Sequence, residues 1–322
     1  MAAGALPFDS LSIATNDMYL PSILPGEVLL AYVGRLTLFL KEKNLAYARA
    51  FLATAYGLEH VNRPTSTVLV AKILGLKISD VLRLHTLSPL RNAFGADLIE
   101  PRNFELETRT VRVRGLAQTP RFCCSCIDEN LHEYGCSYWH RIHFIKGAEF
   151  CVYHPSSALI NADNPKFSRS LPHIELERAR HANQAWVEPK VRRLEPSSLE
   201  FRYLKVCQSV LEAAPRLTDI KGIKKIITGA APYRLEVHQN DQVGASVLAD
   251  ALTLSMQLTE TRIWLSTVFP GSTVDVNAFV KEITSSRVCS SEKYILACLH
   301  LGCWTTDTSI DAFHSWSRQI KS

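Results

Sequence analysis

Apolar residues recur at three- and four-residue steps from Gly26 onward. Val28, Leu29, Tyr32, Val33, Leu36 and Leu40 fall on one face of a 3.6-residue period, which predicts a helix. Leu45 to Tyr56 continues in the same style, and Gly57 is its expected stop. Residues 1–25 carry scattered Pro and Gly and read as an extended lead-in. Arg63-Pro64-Thr65-Ser66 interrupts the pattern, and the run from Ser66 to Leu84 then divides around Gly75 into two short helices. Ser79 is the expected N-cap of the second. That spacing fits a helix-turn-helix and equally fits an ordinary helical hairpin.

The period changes between 101 and 121, where Phe104 to Arg114 alternates and holds β-branched residues, as a strand or extended segment would. Residues 160–197 are rich in Pro, Asn, Arg and Glu and read as a linker with one helix from Pro172 to Trp186. Helical patterns return over 199–214, 219–228, 243–268, 274–286 and 290–303, separated by Pro, Gly and Ser clusters. No repeat of fixed period and no low-complexity tract is visible.

Composition changes this picture only modestly. The 322 residues are 47% hydrophobic and 21% charged, as in globular chains that bury real cores. A net charge of +5 permits a nucleic-acid partner without demanding one. No apolar run approaches the ~20 residues of a membrane helix. The start lacks a basic segment and contains Asp9 and Asp17, unlike a signal peptide. A cytoplasmic location is therefore expected, where the nine cysteines would be buried thiols or metal ligands rather than disulfides.

The candidate chemistry lies in those cysteines. Cys123-Cys124-Ser125-Cys126 is followed by Cys151-Val152-Tyr153-His154. Two ligands separated by two residues face one point, and two such knuckles supply the thiolates and imidazole of a tetrahedral zinc site. Cys123, Cys126, Cys151 and His154 are the expected ligands of one Zn2+. Buried reduced thiols and a redox Cys-x-x-Cys are the other readings; a redox pair has no need of the matching Cys-x-x-His. Cys124 could replace Cys123, although its spacing to Cys126 is short for a knuckle. Cys136 reads as a packed thiol, and His140 and His143 as neighbours of the site rather than ligands. Between the knuckles, Trp139 and Phe144 are expected in a small core, and Arg141 and Lys146 toward solvent or a partner. The chain is therefore expected to be mainly α, with a helix-turn-helix-like N-terminal helical domain (1–100), a central zinc-knuckle module (101–160), a linker (161–198) and a C-terminal helical domain (199–322).

Several of these stretches resemble the TniQ family of transposon target-selection proteins, which includes TnsD. The resemblance rests on Cys123-Cys-Ser-Cys126, Gly135, Tyr138-Trp139-His-Arg141-Ile-His143 and Cys151-Val-Tyr-His154. Leu24-Pro25-Gly26-Glu27, continuing to Arg35-Leu36, is similar to the family's opening helix, and His85-Thr86-Leu87-Ser-Pro89 to its His-Thr-Leu-x-Pro segment. The likeness covers about residues 22–160 and is weaker beyond. One departure limits it. Many members carry a second cysteine-rich knuckle after the Cys-x-x-His, whereas Pro155 to Asp163 holds no cysteine, so a single zinc is expected. The resemblance implies an adaptor that joins a target-site marker to a TnsC-type AAA+ ATPase. The marker would be a Cascade-type guide-RNA complex or target DNA, and the adaptor could act as a homodimer.

Enzyme motifs are missing from the sequence. It has no Gly-x-x-x-x-Gly-Lys-Ser/Thr loop, no Gly-x-Ser-x-Gly elbow and no His-Glu-x-x-His. With a closed zinc site, this favours a non-enzyme. Candidate contacts to nucleic acid or a partner are Lys72, Lys77, Arg83 and Arg91, then Arg109, Arg112, Arg114 and Arg121 leading into the cysteines, and Arg141 and Lys146 between the knuckles. Further basic groups occur at Arg192 and Arg193 and at Lys221, Lys224 and Lys225. The alternative to the adaptor is a protein that recognises attachment-site DNA directly.

Overall fold

The computed structural model describes residues 19–42, 44–58, 60–61, 64–91, 93, 119–162, 170–182, 198–213 and 291–300, with single positions 224, 225, 227 and 279. The protein is mostly helical, with little sheet. Among the described residues four helices come first: α1 (Leu29–Phe39), α2 (Leu45–Ala55), α3 (Ser66–Leu74) and α4 (Ile78–His85), followed by the single turn α5 (Ser88–Arg91).

Helix α1 is buried on nearly every side, which places it between two cores rather than on a surface. Its Leu29, Tyr32, Val33 and Leu36 pack with Leu52 of α2, Leu69 and Val70 of α3 and Val81 of α4. Val28 and Ala31, on the other side, join the core around Trp139. Helix α2 starts where the Asn44 carboxamide oxygen accepts from the Ala46 amide at 2.9 Å, and Gly57, at φ 67, follows its end as the sequence predicts.

Helix α3 closes in a Schellman motif. Gly75 adopts φ 65, its N–H donates to Lys72 O at 3.3 Å, and the Leu76 N–H reaches Ala71 O at 2.9 Å. This corrects the expected cap of the next helix. The motif uses Gly75 and Leu76, so Lys77 becomes the extended residue before α4, and Ser79 lies inside the helix.

The central segment begins with β1 (Arg121–Phe122), which pairs antiparallel with β2 (Ile160–Asn161) in the register Arg121↔Asn161 and Phe122↔Ile160. Between them lie α6 (Cys124–Tyr134), ended by Gly135 at φ 68, and a 3-10 turn over Arg141–Phe144. Trp139 and Phe144 are buried with Phe122, Ile127 and Leu176, the core role expected of them. Helix α7 (Pro172–Ala182) covers this core, and the Trp139 indole N–H donates to Ser170 O at 2.7 Å just before it. It fulfils the described part of the helix expected from Pro172.

Helices α8 (Leu199–Ala213) and α9 (Ser291–His300) fall within expected helical segments and contact each other. The extended segment expected before residue 119 lies outside the described residues. So do nearly all of the helices expected at 219–228, 243–268 and 274–286.

Candidate metal centre

Cys123 and Cys126 sit at the start of α6. Cys123 is the extended residue before the helix (φ −113, ψ 132), and Cys126 lies one turn inside. Both sulfurs therefore lie at the helix N-terminus, where the backbone dipole favours thiolate. The second knuckle is held by a tight turn: Ser157 N–H donates to His154 O at 2.8 Å, and Cys151 N–H donates to Ser157 O at 3.0 Å.

The four ligand atoms of Cys123, Cys126, Cys151 and His154 lie within 4.8 Å of one another, and the three cysteines are buried. His154 Nδ1 is 3.6 Å from Cys123 Sγ, 3.3 Å from Cys126 Sγ and 3.6 Å from Cys151 Sγ; Cys126 Sγ and Cys151 Sγ are 3.5 Å apart. Ordinary Zn–S and Zn–N bond lengths in a tetrahedron require about 3.8 Å between sulfurs and about 3.5 Å between sulfur and nitrogen. The cluster fits one metal ion in both donor type and spacing.

The surrounding groups tune the donors. Glu129 Oε1 lies 2.9 Å from His154 Nε2. With the proton held on Nε2, the Nδ1 lone pair is left toward the sulfurs. The main-chain N–H groups of Cys126 and His154 favour the thiolate form of Cys123 and Cys151 respectively. Crowding forces the three thiols to share charge. Hydrogen bonds from Cys126 and Cys151 hold the Cys123 thiol well below its ordinary value. The same contact with Cys123 pushes both Cys126 and Cys151 up. Metal binding must therefore displace protons.

The structure also distinguishes Cys123 from Cys124. Helix phase turns Cys124 away from the cluster, onto Ile127 and Trp139. Cys136 is half-buried and outside the cluster, in the field of Arg35. His143 is buried beside the sulfurs, and burial pushes it well below its ordinary value. His140 meets Asn130 Nδ2 through Nε2 at 2.9 Å, and burial lowers it to about 4. Sequence reasoning missed Glu129. The available signal was its place three residues after Cys126, one helical turn along the same face of α6.

The expected basic contacts have different fates. Arg141 corrects the expectation of a solvent- or partner-facing side chain, because it is 7% exposed. Its guanidinium donates to Arg83 O at 2.5 Å and Thr86 O at 3.2 Å at the end of α4, and to Leu211 O at 2.8 Å near the end of α8. Carbonyl-rich helix C-termini favour such a cation. Burial lowers Arg141 to about 10, which leaves it charged at neutral pH. Arg121 is likewise engaged inward, donating to Ala148 O and, at 2.8 Å, to Ile145 O of the loop that leads into the second knuckle. Lys146 is half-buried; Lys72 and Lys77, on either side of the α3–α4 turn, and Arg83, in the last turn of α4, are exposed. Arg83 pairs loosely with Asp80 at 3.6 Å. The side chain of Arg91, and all of Arg109, Arg112 and Arg114, lie outside the described residues.

The same junction gathers the other motif residues. Glu27 Oε2 meets Arg35 Nη2 at 2.6 Å and accepts the Leu24 N–H at 2.9 Å. Glu27 O meets His85 Nδ1 at 3.1 Å. Arg141 N–H donates to Gly26 O at 2.8 Å, and Val28 N–H to Trp139 O at 2.9 Å. Among the described residues, no helix is long and apolar enough to cross a membrane. No curated protein matches the chain significantly. Residues 18–156, which hold α1 to α6 and the four clustered ligands, match the model of the TniQ family, and this part of the chain is a TniQ domain.

Proposed function

We propose that the chain is a non-catalytic adaptor for target selection in transposition, and that its Cys123, Cys126, Cys151 and His154 hold one structural Zn2+. The observation that carries this reading is a cluster of four protein donors at zinc-like spacing inside a TniQ domain. Four protein ligands leave no open position for substrate or water, so the metal organises a fold rather than a reaction. The adaptor would work in the cytoplasm, linking a target-site marker to a TnsC-type AAA+ ATPase. The marker is a Cascade-type guide-RNA complex or attachment-site DNA.

The test is a pull-down of the purified chain with a TnsC-type ATPase, with and without nucleotide. Retention of the ATPase supports the adaptor, and its absence in both states refutes it. Metal analysis tests the zinc separately. Protein purified without bound zinc, and folded equally well in chelator, would refute the metal centre.

Direct recognition of DNA is the second reading. It is favoured by exposed Lys72 and Lys77 beside the α3–α4 turn and by exposed Arg83 in the last turn of α4. It predicts binding to duplex DNA that weakens steeply with salt.

A further inference from the structure

The ligand set leaves a charge to be explained. Three thiolates and a neutral imidazole around a dication carry one surplus negative charge, and this cluster is buried. A buried anion needs hydrogen-bond donors. Among the described residues, the side-chain donor from outside the ligand set that faces Cys126 is His143, whose Nε2 lies 3.8 Å from Cys126 Sγ and 3.5 Å from Cys151 Sγ.

His143 differs from His154 in geometry. His154 Nδ1 is within 3.6 Å of all three sulfurs and so caps the triad. His143 Nε2 lies over a single edge of it, between Cys126 and Cys151. The ring is held there. It is 2% exposed, its backbone N–H donates to His140 O at 3.1 Å within the 3-10 turn, and its ring meets that of His140 at 5.2 Å between centroids. Arg141, two residues earlier, anchors the same turn to α4 and α8.

We infer that His143 is a positioning residue of the metal centre, whose Nε2–H donates to the Cys126 and Cys151 sulfurs without binding the metal. The inference rests on the reading of the cluster as a metal site. Two accepting sulfurs facing Nε2 place the ring hydrogen there. The bond disperses the surplus charge of the buried thiolates, which stabilises the metal-loaded site and makes the two sulfurs less nucleophilic. Metal release and attack by electrophiles both slow as a result. Loss of such a partner typically costs about 10- to 100-fold in metal affinity.

The experiment uses the full chain and two variants. His143→Leu fills the space without a donor, and His143→Gln keeps an N–H near the position of Nε2. Zinc affinity is measured by competition with a chromogenic chelator, the alkylation rate with iodoacetamide, and the coordination sphere by cobalt substitution. The expected result is an affinity about 10-fold or more lower and faster alkylation in His143→Leu, near-native behaviour in His143→Gln, and an unchanged cobalt d–d band pattern in His143→Gln.

Equal affinity in wild type and His143→Leu overturns the inference. Equal losses in both variants also overturn it, because they indicate packing alone. A changed d–d pattern in His143→Gln overturns it by making His143 a ligand. Where His143→Leu fails to fold even in excess zinc, His143→Gln decides alone: native affinity supports the inference and a 10-fold loss refutes it. Wild-type protein that binds neither zinc nor cobalt removes the metal reading itself, and this inference with it.

Discussion

Replacing Arg141 with methionine preserves an unbranched apolar stem and deletes the charged fork. The three carbonyls it serves, Arg83 O, Thr86 O and Leu211 O, belong to two helix ends that are far apart in sequence. Each buried carbonyl left without a donor costs about 1–3 kcal/mol. Two effects reduce the sum. Arg141 lines a cavity of about 170 Å³ with Tyr153, Gln208 and Glu212, so water can reach some of the freed oxygens. Methionine also relieves the burial of a cation, which is what lowers Arg141 to about 10. A net loss of about 2–4 kcal/mol remains, or ~5–15 °C in Tm for a folding unit of this size.

The assay is thermal unfolding followed by circular dichroism in excess zinc, on wild type, Arg141→Met and Arg141→Lys. Lysine keeps the charge but not the planar fork, so it should fall between the other two. Wild-type Tm in Arg141→Met would refute the reasoning and return Arg141 to the surface role its sequence context suggested.

Three further outcomes follow from local geometry. Glu27→Gln leaves Arg35 charged at a site where both partners are buried, and should cost about 3–5 kcal/mol in urea unfolding; a cost below 1 kcal/mol would contradict this. Gly75→Ala should cost ~1 kcal/mol, because a Cβ there meets nothing within 4 Å and only the left-handed backbone opposes it. Glu200 is raised to about 8, chiefly by burial and next by the Glu149 carboxylate, against a hydrogen bond from the Glu149 backbone. Its folded form binds the proton more tightly than the unfolded form, so stability should fall as pH rises from the ordinary carboxyl range toward 8. Linkage caps this at about 5 kcal/mol, and water around the partly exposed group leaves ~1–2. Glu200→Gln should flatten that slope and raise Tm at pH 8, and an unchanged pH profile would count against it.

What the sequence revealed and what it hid divide by range. The apolar period of α1, the stop at Gly57 and the turn at Gly75 depend on near neighbours, and they were legible. The start of α4 was not, because the closing bonds of α3 consume Leu76 and move the extended position to Lys77. The choice between Cys123 and Cys124 needed helix phase, since Cys124 and Ile127 share the face of α6 that turns to Trp139. Arg141 was misread because its partners come from residues 83, 86 and 211. An arginine flanked by histidine and isoleucine gives no local sign of the two helix ends it will meet.

The residues that carry the family likeness are, in large part, those least able to touch a partner. Glu27, Arg35, His85, Thr86, Trp139, Arg141 and the clustered cysteines are buried, and they bind α1, α4, α6 and α8 to one another. Substituting them would weaken any partner interaction by weakening the fold, and a loss of binding would say nothing about contact. Lys72, Lys77 and Arg83 are different: they are exposed, and no buried network holds their charges. Reversing all three to glutamate should leave Tm nearly unchanged, since surface substitutions usually stay within ~0.5 kcal/mol each. If these side chains touch DNA, each lost phosphate contact should reduce the slope of log affinity against log salt by about 0.9. A slope lower by two to three units at native Tm would support direct recognition. An unchanged slope would remove Lys72, Lys77 and Arg83 from the DNA interface and leave protein docking as their use.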